Sequence, residues 1–280
     1  MTVQANETQV AMLKDSVDEW NKWRTANPGK ILQLTRADLS STDLSGANLT
    51  KALLVHANFT KAKLVGADLS NNSFSSANLT EADLTGADLT GCSFRHTNMV
   101  GTDLTNAKLS KAEFEDALLD GCQVTGADLS DSTFSETRFR KQISSNTICF
   151  DSAKLVRADL PGADLRDGNF HQTDLSDANL SKADLRHAFF AEATLVRINL
   201  SEANLQSAVF TNAHLTGANL AKTNLTAADL SGTDLTGADL TGAILTNADL
   251  TGADLTGADL TGARLTGAVL DDCRGYTAAS

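Results

Sequence analysis

Apolar residues return along this chain at a strict interval of five. From Leu34 to Phe139 every fifth residue is apolar, 22 positions in succession. A second series from Phe150 to Leu270 adds 25 more, all Leu or Phe. Two residues before this position i, at i−2, Ala fills 13 of the 22 sites in the first series and 19 of the 25 in the second. The recurring unit reads A(D/N)L(S/T)x, seen plainly in Ala238-Asp239-Leu240-Thr241-Gly242. A helix repeats at 3.6 residues and a strand at 2, so a period of five fits neither as a long element. It suits a chain that turns a corner every five residues. Positions i and i−2 then point inward at strand spacing, i−1 between them points out, and i+1 and i+2 form the corner. Gly at i+2 (Gly237, Gly242, Gly252, Gly257) matches the positive φ of a type II turn, and Pro161-Gly162 fills both corner positions as such a turn prefers.

The phenylalanines set the number of corners per coil. Phe74, Phe94, Phe114 and Phe134 lie twenty apart, as do Phe150, Phe170, Phe190 and Phe210. Four pentapeptides per coil stack each set as a ladder on one face. This pattern resembles the pentapeptide-repeat family over about 240 of the 280 residues, and the repeat is highly specific. The resemblance implies an all-β solenoid, a right-handed quadrilateral β-helix with Leu and Phe stacked inside. At roughly 4.8 Å per coil, about 12 coils give a rod about 55 Å long.

Residues 1–30 are expected to form an N-terminal α-helical cap. Over 6–25, Val10, Leu13, Val17 and Trp20 follow at steps of three and four, a single apolar stripe with Trp23 beside it. Asn6 and Gln9 have the spacing of a capping pair, and Asn27-Pro28-Gly29 stops the helix. Lying across the first coil near Leu34, this helix would cover an open sheet edge. The stretch from Trp20 to Pro28 looks like the N-terminal cap of some cyanobacterial members of the family. Residues 31–139 form the first part of the β-helix and 150–270 the second, followed by a tail at 271–280. Between them, 140–149 is an interruption. Phe139 and Phe150 stand eleven apart where ten would keep the frame. One added residue makes a bulge and six make a projecting loop; both stay open. Arg138, Arg140 and Lys141 make a local basic spot there.

Charge and chemistry narrow the function. Lys and Arg number 23 against 35 Asp and Glu, a net charge of −12. This balance opposes direct nucleic-acid binding, which needs clustered cations. No apolar run is long enough to span a bilayer, and the polar start lacks the form of a signal peptide, so the expected location is the cytoplasm. Cys92, Cys122, Cys149 and Cys273 lack metal-ligand spacing and are expected to be free thiols. Cys92 and Cys122 fall inward on opposite faces; Cys149, at i−1, should be the most accessible. A filled interior offers no concavity for catalysis, so no catalytic residue, cofactor or metal is expected. Folding the chain by twenty instead stacks Asp229 over Asp249, Asp234 over Asp254 and Asp239 over Asp259. These acids, with Arg138, Arg140 and Lys141, are the candidate interaction surface. The expected function is a non-enzymatic protein-interaction scaffold, regulatory in kind, presenting flat acidic faces to a protein partner. The alternative, implied by the gyrase-directed relatives, is a DNA-mimicking modulator of DNA gyrase. Those relatives also imply an end-to-end pairing of C-terminal coils, so the expected state is a monomer or a weak C-terminal homodimer.

Overall fold

The computed structural model describes residues 4–134, 137 and 149–276. The chain divides into two compact units, Met1–Asn146 and Thr147–Ser280. The expected interruption, apart from Cys149, lies outside the described residues, as do Arg138, Phe139, Arg140 and Lys141.

In both units the backbone climbs by parallel pairing between residues twenty apart. Asp38 bridges Asn58, Asn58 bridges Asn78 and Asn78 bridges Asn98; in the second unit Asp159 bridges Asn179 and Asn179 bridges Asn199. One pentapeptide shows why the sequence unit has its form. Asn78 donates its N–H to Ala57 O of the coil below, and Leu79 and Glu81 donate theirs to Asn98 O and Val100 O of the coil above, at 2.7–2.9 Å. Ala82 N–H closes the corner onto Leu79 O at 2.9 Å. The remaining donor, Thr80 N–H, meets the Asn78 side chain at 3.0 Å, and Thr80 Oγ1 donates to the same Oδ1 at 2.6 Å. All five N–H groups are thus paired, as buried backbone requires. Asp or Asn recurs at i−1, and Ser or Thr at i+1, because together they satisfy the one donor that neighbouring coils cannot reach.

Inside, i and i−2 are filled. Leu39, Leu79 and Leu185 are fully buried, and so are Ala47, Ala87 and Ala188. Where i−2 is polar, its short side chain can donate to the carbonyl of an i residue in the coil below, as Thr97 Oγ1 does to Phe74 O at 2.8 Å and Thr173 Oγ1 to Phe150 O at 2.7 Å, or to the preceding i residue of its own coil, as Thr223 Oγ1 does to Leu220 O at 2.7 Å. The rings of Phe74, Phe94, Phe114 and Phe134 stack with centroids 4.7–5.1 Å apart, and those of Phe150, Phe170, Phe190 and Phe210 at 4.7–4.8 Å. Position i+2 holds a positive φ whether or not it is Gly, as at Lys61 (57°), Glu81 (55°) and Gly86 (65°). Its amide bond to the next coil fixes the corner, so residues other than Gly accept a strained conformation there.

The N-terminal segment departs from the single helix expected over 6–25. It forms two helices, α1 (Glu7–Asp15) and α2 (Val17–Ala26). Ser16 separates them with φ −156° and caps α2 by accepting Glu19 N–H at 3.3 Å. Ser16-Val-Asp-Glu19 has the spacing of a capping box, a start signal inside the apolar stripe. Asn6 does cap α1, accepting Gln9 N–H at 3.0 Å. The Gln9 side chain turns instead to the first coil and accepts Gln33 N–H at 2.8 Å, while Asn6 N–H donates to Gln33 O at 2.6 Å. Two short strands, β1 (Leu32–Gln33) and β2 (Ala52–Leu53), pair in parallel beside this contact.

Candidate interaction surface

The six candidate aspartates stand at i−1, in the columns the twenty-residue period dictates: Asp229 bridges Asp249, Asp234 bridges Asp254 and Asp239 bridges Asp259. Each also serves its own corner. Asp229 accepts Ser231 N–H, and Asp234, Asp239, Asp249, Asp254 and Asp259 accept Thr236, Thr241, Thr251, Thr256 and Thr261 N–H, all at 2.9 Å. Hydrogen bonds from the corner threonines hold Asp234, Asp249, Asp254 and Asp259 below the usual carboxylate range. These carboxylates therefore stay ionised in their columns. Arg274 continues one of them, bridging Asp254, and closes a shallow groove of about 340 Å³ with Asp234, Gly232 and Gly252.

In the first unit, Leu13 and Trp20 are buried, while Val10, Val17 and Trp23 are half-buried. Trp20 and Trp23 rings lie 5.4 Å apart. Trp20 Nε1 donates to Asn48 O at 2.9 Å, and Asn21 bonds both Gly46 O and Asn48 N–H. Arg24, part of the cap-like stretch from Trp20 to Pro28 but given no role of its own there, is buried and donates to Lys30 O and to Thr50 O, at 3.0 and 2.8 Å. A second groove, of about 550 Å³, runs between α1 and the first coil, lined by Val10, Lys14, Arg36 and Asp38. Among the described residues no group of three or more His, Cys, Asp or Glu could hold a metal ion. None of the described helices is long and apolar enough to cross a membrane.

A family model for pentapeptide repeats matches eight copies, within 33–71, 73–110, 107–141, 150–181, 178–217, 198–237 and 233–272. The chain belongs to the pentapeptide-repeat family. Its coils are accordingly those of a right-handed β-helix solenoid. Among solved structures it is similar to HetL, a pentapeptide repeat protein involved in heterocyst differentiation regulation from the cyanobacterium Nostoc sp. strain PCC 7120. That pair is 28% identical over 90% of this chain and 94% of the other, with a TM-score of 0.34. Rfr23 from the cyanobacterium Cyanothece 51142 is 30% identical over 56% of this chain and 90% of its own, with a TM-score of 0.19. QnrB1, a plasmid-mediated fluoroquinolone resistance protein, is 18% identical over 73% and 92%, with a TM-score of 0.30. A search of curated proteins gives no match. Family membership rests on the repeat match; these loose superpositions add no detail about this chain.

Pentapeptide-repeat proteins are in general non-enzymatic structural and interaction proteins. What distinguishes one from another is the outward residue of each repeat. In this pentapeptide-repeat protein most i−1 positions carry Asp or Asn. Phe189 breaks that rule, and attention to the inward period passed over it. The signal was present, because it is the one Phe outside the two apolar series.

Proposed function

We propose that this pentapeptide-repeat protein is a non-enzymatic scaffold, regulatory in kind, that binds a protein partner through flat acidic outer faces. The observation that carries the reading is the filled interior. Among the described residues the inward positions are filled, mainly by Leu, Phe and Ala, so the interior offers no convergent set of catalytic groups. Stacked, ionised carboxylates on the faces favour a basic partner surface, and the net charge of −12 draws such a partner in. On this reading the repeats make about 12 coils, and α1 and α2 act as the cap of the first one. Hydrogen bonds from Trp20, Asn21 and Arg24 to the backbone at 46–50 support that role.

The test is affinity capture from cells of the source organism with the full chain as bait. The captured protein is then purified and its binding repeated with a variant carrying Asn at all six aspartates. Asn keeps the acceptor that each corner needs, so the fold is retained while six charges are removed. Binding should weaken by more than tenfold and lose most of its salt dependence. Equal binding by both forms would overturn the acidic-face reading.

A further inference from the structure

The face that carries Phe189 has a composition found nowhere else among the described residues. Phe59, Phe74, Phe94, Phe114, Phe134, Phe150, Phe170, Phe190 and Phe210 are all buried, whereas Phe189 leaves 41% of its surface in solvent. On one side its ring stacks against His171, with centroids 6.0 Å apart, and His171 is held by Asp151 at 2.8 Å. On the other side the column continues through Val209, Asp229 and Asp249 to Val269, which is also exposed. Four successive coils thus present apolar, apolar, acidic and acidic groups in line. Of the corners after the two acids, Thr251-Gly252 faces open space, whereas the Asn212 side chain lies over Gly232.

Spacing selects the partner's conformation. Neighbouring coils stand roughly 4.8 Å apart, so the four groups sit at about 0, 4.8, 9.6 and 14.4 Å along the face. On an α-helix the residues k, k+3, k+7 and k+10 share one side and rise to about 0, 4.5, 10.5 and 15 Å. The two series agree within about 1 Å throughout. An extended segment shows same-side residues every ~6.7 Å and is out of step by the second one.

We propose that the face Phe189–Val209–Asp229–Asp249 docks an α-helix of another protein, with apolar residues at k and k+3 and Lys or Arg at k+7 and k+10. The apolar pair covers the exposed ring, and the cations meet carboxylates that are already fixed in place. A second copy of this chain does not supply that helix. Its nearest array, Val17, Trp20 and Arg24, has Trp20 and Arg24 buried against the first coil. The proposal rests on the scaffold reading and makes it specific to one face.

The probe is a fluorescein-labelled 16-residue peptide of Ala and Gln with Leu at positions 3 and 6 and Lys at 10 and 13. A control peptide of the same composition alternates Leu and Lys over those four positions. Fluorescence anisotropy against the full chain should show the patterned peptide binding at least roughly tenfold more tightly than the control. Phe189→Asn, and Asp229→Asn with Asp249→Asn, should each remove about tenfold of that affinity, as anchor residues do. Asn already occupies i−1 at Asn169 and Asn179, so the melting temperature of Phe189→Asn serves as the check that the fold is kept. Equal binding of the two peptides, no binding of either, or binding unchanged in the variants would overturn the proposal. A cellular partner captured by the chain yet indifferent to these substitutions would leave the scaffold reading standing and remove only this face.

Discussion

Leu185 and Asp184 are chain neighbours on opposite sides of the same wall, so replacing each in turn tests the inward and outward assignment directly. Leu185 is fully buried, and its amide is tied to Asn204 O at 2.8 Å. Leu→Ala in a core costs 2–5 kcal/mol, more where the surroundings cannot close the cavity. Here the ladder bonds hold each coil at a fixed height, so collapse is limited and the expected loss is about 4 kcal/mol. Asp184 receives two hydrogen bonds from Arg186, at 2.8 and 2.6 Å, and lies 3.7 Å from Arg166. Its side chain is 31% exposed, so solvent screens these pairs, and Asn keeps an oxygen for Arg186. The expected cost of Asp184→Asn is about 1 kcal/mol or less. Denaturant unfolding should therefore separate the two variants by at least about 3 kcal/mol. Leu185→Lys should disrupt the neighbouring coils, because an unpaired buried charge costs several kcal/mol. Equal midpoint shifts for Leu185→Ala and Asp184→Asn would refute the placement of i inside.

Four further outcomes follow from particular contacts. The carboxyls of Asp234, Asp249, Asp254 and Asp259 are held low by their corner threonines. Their contribution is present above the unfolded carboxylate pKa and lost as pH falls through the folded values, so stability should be level from pH 7 to 5 and decline below about 4. Asn at these four positions should flatten that decline in denaturant midpoints measured across pH. Thiol labelling read by mass spectrometry should find Cys149 first, then Cys273. Cys92 and Cys122 should stay unmodified until unfolding, since burial pushes both thiols up to about 12. Trp20→Ala should cost about 3–5 kcal/mol locally and expose the Asn48 amide to hydrogen exchange, because that N–H bonds Asn21 on the same helix. Leu260, Leu265 and Leu270 are half-exposed where earlier inward leucines are buried, with Asp271 and Asp272 exposed nearby. If this end pairs two copies, sedimentation should show a dimer strengthening with salt; a monomer at high concentration and salt removes that pairing.

The inward half of the structure was legible because a five-residue period leaves few geometries open. Leu at i and Ala at i−2 must face inward together, and Phe at intervals of twenty must stack. The outward half was legible only in part. Asp at i−1 was read as surface charge offered to a partner, whereas its first partner is the amide two residues on. That bond depends on corner geometry, which the bare period does not reveal. The helix pair was read as one helix because the apolar stripe runs unbroken from Val10 to Trp20, and the start signal at Ser16–Glu19 lies within it. Arg24 escaped because its charged head seeks backbone carbonyls about 26 residues away.

These two roles of aspartate change how the surface should be interpreted. If each corner needs an acceptor at i−1, Asp and Asn accumulate there for reasons of folding, and an acidic exterior is partly a by-product of the repeat. Asn meets the same need without charge, as Asn78 does, so the choice of Asp over Asn remains free for binding. It is free again wherever i−1 is neither. Departures such as Phe189 and Val209 leave a corner without its side-chain acceptor, and the Phe189 ring, though stacked on His171, leaves 41% of its surface in solvent. Selection for folding alone would not place Phe there, which makes the departures a better guide to the partner than the abundant acids. Among the described residues, an apolar departure and stacked Asp share one column at Phe189, Val209, Asp229 and Asp249, which joins an anchor to a charge.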